Sequence, residues 1–289
     1  MYIIENNLLR ISVDAKGAEL TSIYHKPLQI EYMWNGDPAY WSKHSPILFP
    51  VVGGLKTNTY FFDNRPYQLP RHGFAREKKF IVAKQSAKSI SFSLRDDEET
   101  QLVYPFRFEL TIKYTLDDNE LAVSYQVKNN GNEDMFFSIG GHPAFKVPLL
   151  DGTTYEDYYL EFNLQETSGR WPVSPDGLIE TEASPFFHND SRIHLKKSLF
   201  QQDALVFKDL RSDRVSLKCT EHKHGLDFTF KGFPYMGIWA AKNADFVCIE
   251  PWCGIADSVY ADQQLKNKEG INRLGKGELF EREWNTKFW

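Results

Sequence analysis

The sequence predicts an all-β protein, a large antiparallel β-sandwich with few short helices. Three observations carry that expectation. Apolar and polar residues alternate with period 2 over long runs, the signature of half-buried strands. Turn-forming residues return about every 8–12 positions, the spacing of sandwiches and barrels and not of strand–helix–strand units. Phe, Tyr and Trp make up 15% of the 289 residues, and aromatic side chains suit a pleated, half-buried surface.

Along the chain, residues 8–13 and 18–24 read as strands flanking a Lys16-Gly17 turn, and a short helical turn is expected near 38–43. Strands 59–62 and 67–69 flank Asp63-Asn64-Arg65-Pro66, a cluster of turn formers. Strands 79–84 and 89–95 precede the clearest hairpin. There Phe106, Phe108, Leu110, Ile112, Tyr114 and Leu116 share one face, with Arg107, Glu109, Thr111, Lys113 and Thr115 on the other. After Asp117-Asp118-Asn119, the residues Leu121, Val123, Tyr125 and Val127 resume the apolar face, so the two runs form a long antiparallel hairpin. Further strands are expected at 135–139, 157–162, 204–208, 214–219, 226–231, 236–241 and 245–250, with a second helical turn near 196–202. The least periodic stretch, 163–191, reads as a long surface connection. No Pro/Gly/Ser-rich linker splits the chain, so residues 1–289 are expected to form a single domain.

The formal net charge is −5, which argues against a partner recruited by bulk charge, whether nucleic acid or an anionic membrane. Cys219, Cys248 and Cys253 match no zinc or disulfide spacing. The N-terminal residues lack the pattern of a secretory signal, and no run approaches the roughly 18 apolar residues of a membrane-spanning helix. The expectation is a cytoplasmic protein, monomer or homodimer, with no metal and no cofactor.

Three segments set titratable residues among Gly, Pro and aromatics: Arg71-His72-Gly73-Phe74-Ala75-Arg76, Gly140-Gly141-His142-Pro143-Ala144-Phe145, and Phe246-Val247-Cys248-Ile249-Glu250-Pro251-Trp252. Glu250 is placed at the end of a buried strand, where a carboxylate costs free energy unless it is paired. Such a group is either a pinned structural residue or a general base whose proton affinity its surroundings set. His142 follows two glycines that let backbone come close to something, and precedes a proline that holds it extended. His72 sits in a basic loop, and Arg76 is either a surface cation or a fork for hydroxyls, carboxylate or phosphate.

The motifs Pro46-Ile47-Leu48-Phe49-Pro50, His72-Gly73-Phe74-Ala75-Arg76, Gly141-His142-Pro143-Ala144-Phe145 and Cys248-Ile249-Glu250-Pro251-Trp252 resemble the aldose 1-epimerase (galactose mutarotase-like) superfamily. The nearer likeness is to its branch of LacX-like proteins and hexose-6-phosphate 1-epimerases. The resemblance implies a sandwich of many antiparallel strands and a cofactor-independent exchange of the α and β anomers of a sugar. It implies Glu250 as the base at the C1 hydroxyl and His142 as the acid at the ring oxygen. It further implies that His72 orients the substrate and that Arg76 and Asp203 bind sugar hydroxyls. Trp239 is an aromatic candidate for the cleft wall. Sugar-phosphate epimerases of this type carry an extra arginine where this chain reads Trp41-Ser42-Lys43-His44-Ser45-Pro46. Lys43 or His44 would have to replace it, so a free hexose is the better expectation. A hexose 6-phosphate, a non-catalytic sugar-binding or regulatory protein, and a glycosidase using Glu250 with Asp203 are the alternatives.

Overall fold

The computed structural model describes residues 1–289. Its largest element is a nine-stranded antiparallel sheet. Spatial order runs Asp190–His194, Tyr158–Glu166, Arg214–Cys219, Leu226–Thr229, Leu279–Phe288, Glu120–Asn129, Phe108–Asp117, Ser89–Arg95, Ile81–Gln85. The predicted hairpin lies inside it, with Leu116 opposite Leu121 and Asp117 opposite Glu120, so Asp118-Asn119 is the two-residue turn. Its apolar face is buried and its polar face is wetter, as period 2 dictates.

A second sheet of six strands positions the site. Leu205–Phe207, Tyr235–Trp239, Phe246–Cys253, Ile139–Gly141 and Ile47–Leu48 lie side by side, and Ala144–Lys146 also pairs with Phe246–Cys253. Aromatic rings join the two layers: Phe145 meets Phe228, Phe207 meets Phe162, and Phe49 meets Phe108. Those rings belong to one buried cluster of 73 residues. A four-stranded sheet (Tyr2–Glu5, Leu9–Val13, Leu20–His25, Ile30–Glu31) and two small ribbons complete the β structure.

Helical content is low. The turn near 196–202 is a 3-10 helix at Lys197–Phe200, whereas 38–43 forms hydrogen-bonded turns only. The single α-helix, Glu98–Val103, lies outside the expected elements. Asp97 accepts from the Thr100 N–H while the Thr100 hydroxyl accepts from the Asp97 N–H, a capping box that starts it. No helix is long and apolar enough to cross a membrane.

Two expectations are corrected. Glu250 is not at a strand end, because the strand continues from Phe246 through Pro251 to Cys253. The Ile249 N–H bonds to the Pro143 carbonyl, and the register of the neighbouring pairs sets Pro251 opposite Gly141, where a proline supplies no N–H to the ladder. The 163–191 stretch is more than a surface connection. It first extends a strand to Glu166, whose buried carboxylate accepts the backbone N–H groups of Arg211 and Ser212. It then folds over the six-stranded sheet, where Trp171 pairs with Val206 and Ile179 with Ser258.

Candidate active site

Above the six-stranded sheet opens a cavity of about 330 Å³. Glu250, His142, His72, Arg76, Asp203 and Trp239, the six residues nominated from sequence, all line it. The cavity floor is the Phe246–Cys253 strand, whose alternate residues Phe246, Cys248, Glu250 and Trp252 face one way.

His142 is placed by the step between two short strands. At Gly140 a side chain would run into Trp252, and at Gly141 into Tyr125 and Trp284, whose hydroxyl and indole N–H are themselves hydrogen-bonded at 2.7 Å. The backbone can lie this close only without Cβ atoms, and it carries His142 over Glu250. The His142 Nε2 is 3.3 Å from Glu250 Oε2. The imidazole stacks on Trp41 at 4.9 Å between ring centres and meets the edges of Trp239 at 5.5 Å and His72 at 5.7 Å. Its Nδ1 is buried without a hydrogen-bond partner.

His72 adopts a left-handed backbone, with φ of 70°, which costs a non-glycine residue about 1–3 kcal/mol. Gly53 holds it there from both sides. The His72 N–H donates to the Gly53 carbonyl at 2.9 Å, and the Gly53 N–H donates to His72 Nδ1 at 3.1 Å. With Nδ1 accepting, the neutral ring carries its proton on Nε2.

Burial sets the electrostatics. It pushes the Glu250 carboxyl well above the usual carboxylate range, with Asp203 adding to the effect and Arg71 opposing it. It pushes the His142 imidazole down to about 3. His72 is depressed by burial first, then by His142, Arg71 and Arg76. Burial thus disfavours the charged form of both members of the pair, the Glu250 carboxylate and the His142 imidazolium.

Arg71 is the main residue the sequence reading passed over. Its guanidinium forks onto the Asp203 carboxylate at 3.2–3.3 Å across the cleft, while Arg76 donates to the Arg71 carbonyl at 2.9 Å. Trp41 and Trp252 join Trp239 as aromatic lining, and Val173, Gly177 and Ile179 of the misread 163–191 stretch form a wall. Lys43 and His44 are not part of the lining. Lys43 is paired with Glu77 at 2.8 Å, and His44 lies beside Glu19. Neither therefore stands in for a phosphate-binding arginine inside the cleft. Among groups able to hold a metal, the His142, Glu250 and Cys248 ligand atoms lie within 4.8 Å of one another.

A family model described as aldose 1-epimerase matches residues 1–269. The chain is 34% identical over 280 residues to the chromosomal protein LacX of Lactococcus lactis subsp. lactis, spanning 94% of this chain and 93% of that protein. Among solved structures it is similar to a galactose mutarotase related enzyme from Lactobacillus acidophilus. That match has a TM-score of 0.94 and 37% identity, over 100% of this chain and 97% of the other. A galactose mutarotase-like protein from Lactobacillus casei gives a TM-score of 0.94 at 28% identity over 100% of both chains. The expected sandwich is thus the fold observed.

Proposed function

The chain belongs to the aldose 1-epimerase family, and from that premise we propose that it interconverts the α and β anomers of a free hexose by acid–base ring opening. The observation that carries this reading is the buried 3.3 Å contact of His142 with Glu250 on the floor of a tryptophan-lined cleft. Glu250 takes the proton of the C1 hydroxyl while His142 gives one to the ring oxygen. The C1–O5 bond breaks, its electron pair goes to O5, and C1 becomes an aldehyde. Rotation about C1–C2 presents the other face, and reclosure returns both protons.

Each opening moves one proton, in net, from histidine to glutamate, and each closure moves it back. A pair that shares one proton is thus regenerated every cycle without an outside donor. Burial favours the neutral pair in the empty cleft, which is the state left after ring opening. Arg71 favours the carboxylate, so it assists the transfer that resets Glu250 as a base. In this reading the Nε2–H of His72 and the Asp203 carboxylate meet sugar hydroxyls, Arg76 borders them, and Trp239 with Trp41 offers an apolar wall to the sugar face; all five line the cleft.

A hexose 6-phosphate is the second reading, favoured by the two guanidinium groups, Arg71 and Arg76, in the lining. It ranks behind because Arg71 is already engaged by Asp203. A sugar-binding protein without turnover has no need of an opposed acid and base, so it ranks third. The test is anomer exchange followed by polarimetry on glucose, galactose and glucose 6-phosphate, each against its spontaneous rate. Glu250→Gln is expected to lower the rate by about 10²–10⁴-fold with its thermal unfolding unchanged. Wild-type exchange in that variant overturns the assignment, and acceleration of the phosphate alone selects the second reading.

A further inference from the structure

We propose that His142, Cys248 and Glu250 form a site for a divalent cation of the zinc type, and that the cation shuts the cleft by occupying the acid–base pair. The imidazole nitrogen, thiol sulfur and carboxylate oxygen all lie within 4.8 Å of one another, and all three residues are buried. In a tetrahedral zinc site, with bonds of about 2.0–2.3 Å, neighbouring ligand atoms stand about 3.3–3.8 Å apart. His142 and Glu250 already have that separation, at 3.3 Å, and Cys248 has to close by roughly an ångström. Cys248 and Glu250 are two residues apart on one face of a single strand, so their spacing is set by the sheet. His142 is 7% exposed and its Nδ1 has no partner, so the ring can turn toward Cys248 without giving up a hydrogen bond. His142 and Glu250 border the cavity, from which water or a sugar hydroxyl would complete the shell.

Charge balance supports the same occupant. As ligands to M²⁺, Cys248 and Glu250 act as a thiolate and a carboxylate, with His142 a neutral imidazole. Their two negative charges cancel the cation, so the buried assembly is neutral and avoids the cost of an uncompensated charge. A sulfur–nitrogen–oxygen set selects Zn²⁺, Cd²⁺ or Co²⁺ over the hard cations Mg²⁺ and Ca²⁺.

Co²⁺ is the probe. Added to the whole protein, cobalt chloride is expected to give a thiolate-to-cobalt charge-transfer band and the visible bands of a tetrahedral site. Both should vanish in Cys248→Ser, and in Cys248→Ala should the serine variant fail to fold. No band, or a band that persists without Cys248, overturns the site. The inhibition arm rests on the mutarotase reading. Zn²⁺ is expected to suppress anomer exchange, with a chelator restoring it and Mg²⁺ without effect, and Cys248→Ala is expected to need at least about tenfold more Zn²⁺. Equal sensitivity of that variant overturns the proposed shut-off. A cobalt band in a protein that exchanges no anomers upholds the metal site while removing the mutarotase reading.

Discussion

At the scale of single residues, the chemistry depends on two groups that burial drives in opposite directions. Sealing a carboxylate from water raises its proton affinity, and sealing an imidazolium lowers its own. His142 therefore accepts a second proton only near pH 3, and the shared proton leaves only once the raised Glu250 ionises. In chelated buffer, kcat/KM is expected to stay flat through the weakly acidic range where an exposed carboxylate titrates, and to fall on the alkaline side. An acid limb at the ordinary carboxylate pKa would show that Glu250 is solvated when it works. Asp203→Ala is expected to raise KM about tenfold with little change in kcat, as for loss of binding shared by ground and transition states. A fall in kcat alone would move Asp203 from binding to chemistry. His142 and Glu250 stood out in the sequence as titratable residues set among glycines, prolines and aromatics, which left a structural role open for each, and the acid–base assignment came from the resemblance of their motifs to the family. Arg71 stands in the same segment as His72, but its residue type does not single it out, and Trp41 carries no such mark. An arginine or tryptophan on a loop looks the same whether it faces bulk water or a cleft, and only the fold turns them inward.

At the scale of elements, the cleft walls are tied together by one buried ion pair. Asp257 accepts from Lys268 Nζ at 2.7 Å and from the Lys56 N–H at 2.9 Å. The Asp257 backbone N–H bonds the Gly54 carbonyl, and its carbonyl accepts the Ile179 N–H. The loop that clamps His72, the 177–179 wall and the chain leaving the Glu250 strand thus converge on one residue. Lys268→Met strands a buried carboxylate and is expected to lower stability by about 3–5 kcal/mol, read as a urea midpoint shift at constant m-value. An unchanged midpoint would mean that the Lys56 N–H suffices for Asp257. Gly141→Ala is expected to cost about 1–3 kcal/mol, since the new methyl meets the locked Tyr125–Trp284 pair. This tier was half legible. The strands around 106–127 announced themselves, but the wall at 163–191 is held by scattered bridges and buried carboxylate contacts that leave no periodicity. The Glu98–Val103 helix is too short for a helical pattern, although its Asp97–Thr100 cap can be read in retrospect.

For the whole molecule, the all-β class followed from alternation, yet the order of strands did not. Leu279–Phe288 was missed, and it sits in the middle of the largest sheet, between Glu120–Asn129 and Leu226–Thr229. Its inward face carries Arg282 and Thr286 beside Phe280, Trp284 and Phe288, so polar residues mask its period. Deleting residues 279–289 is expected to abolish cooperative urea unfolding, and a sharp transition in the shortened protein would show that the sheet can close without them.

That strand also sets a timetable for synthesis. Ser124 and Glu283 bond side by side although 159 positions separate them. A ribosome adding roughly 5–20 residues per second finishes the first of the pair many seconds before the second exists. During that interval the Glu120–Asn129 hairpin arm is an open edge, ready to pair with any neighbouring nascent chain. The growing polypeptide therefore has its greatest need of a chaperone's shelter while its most regular hairpin is already made.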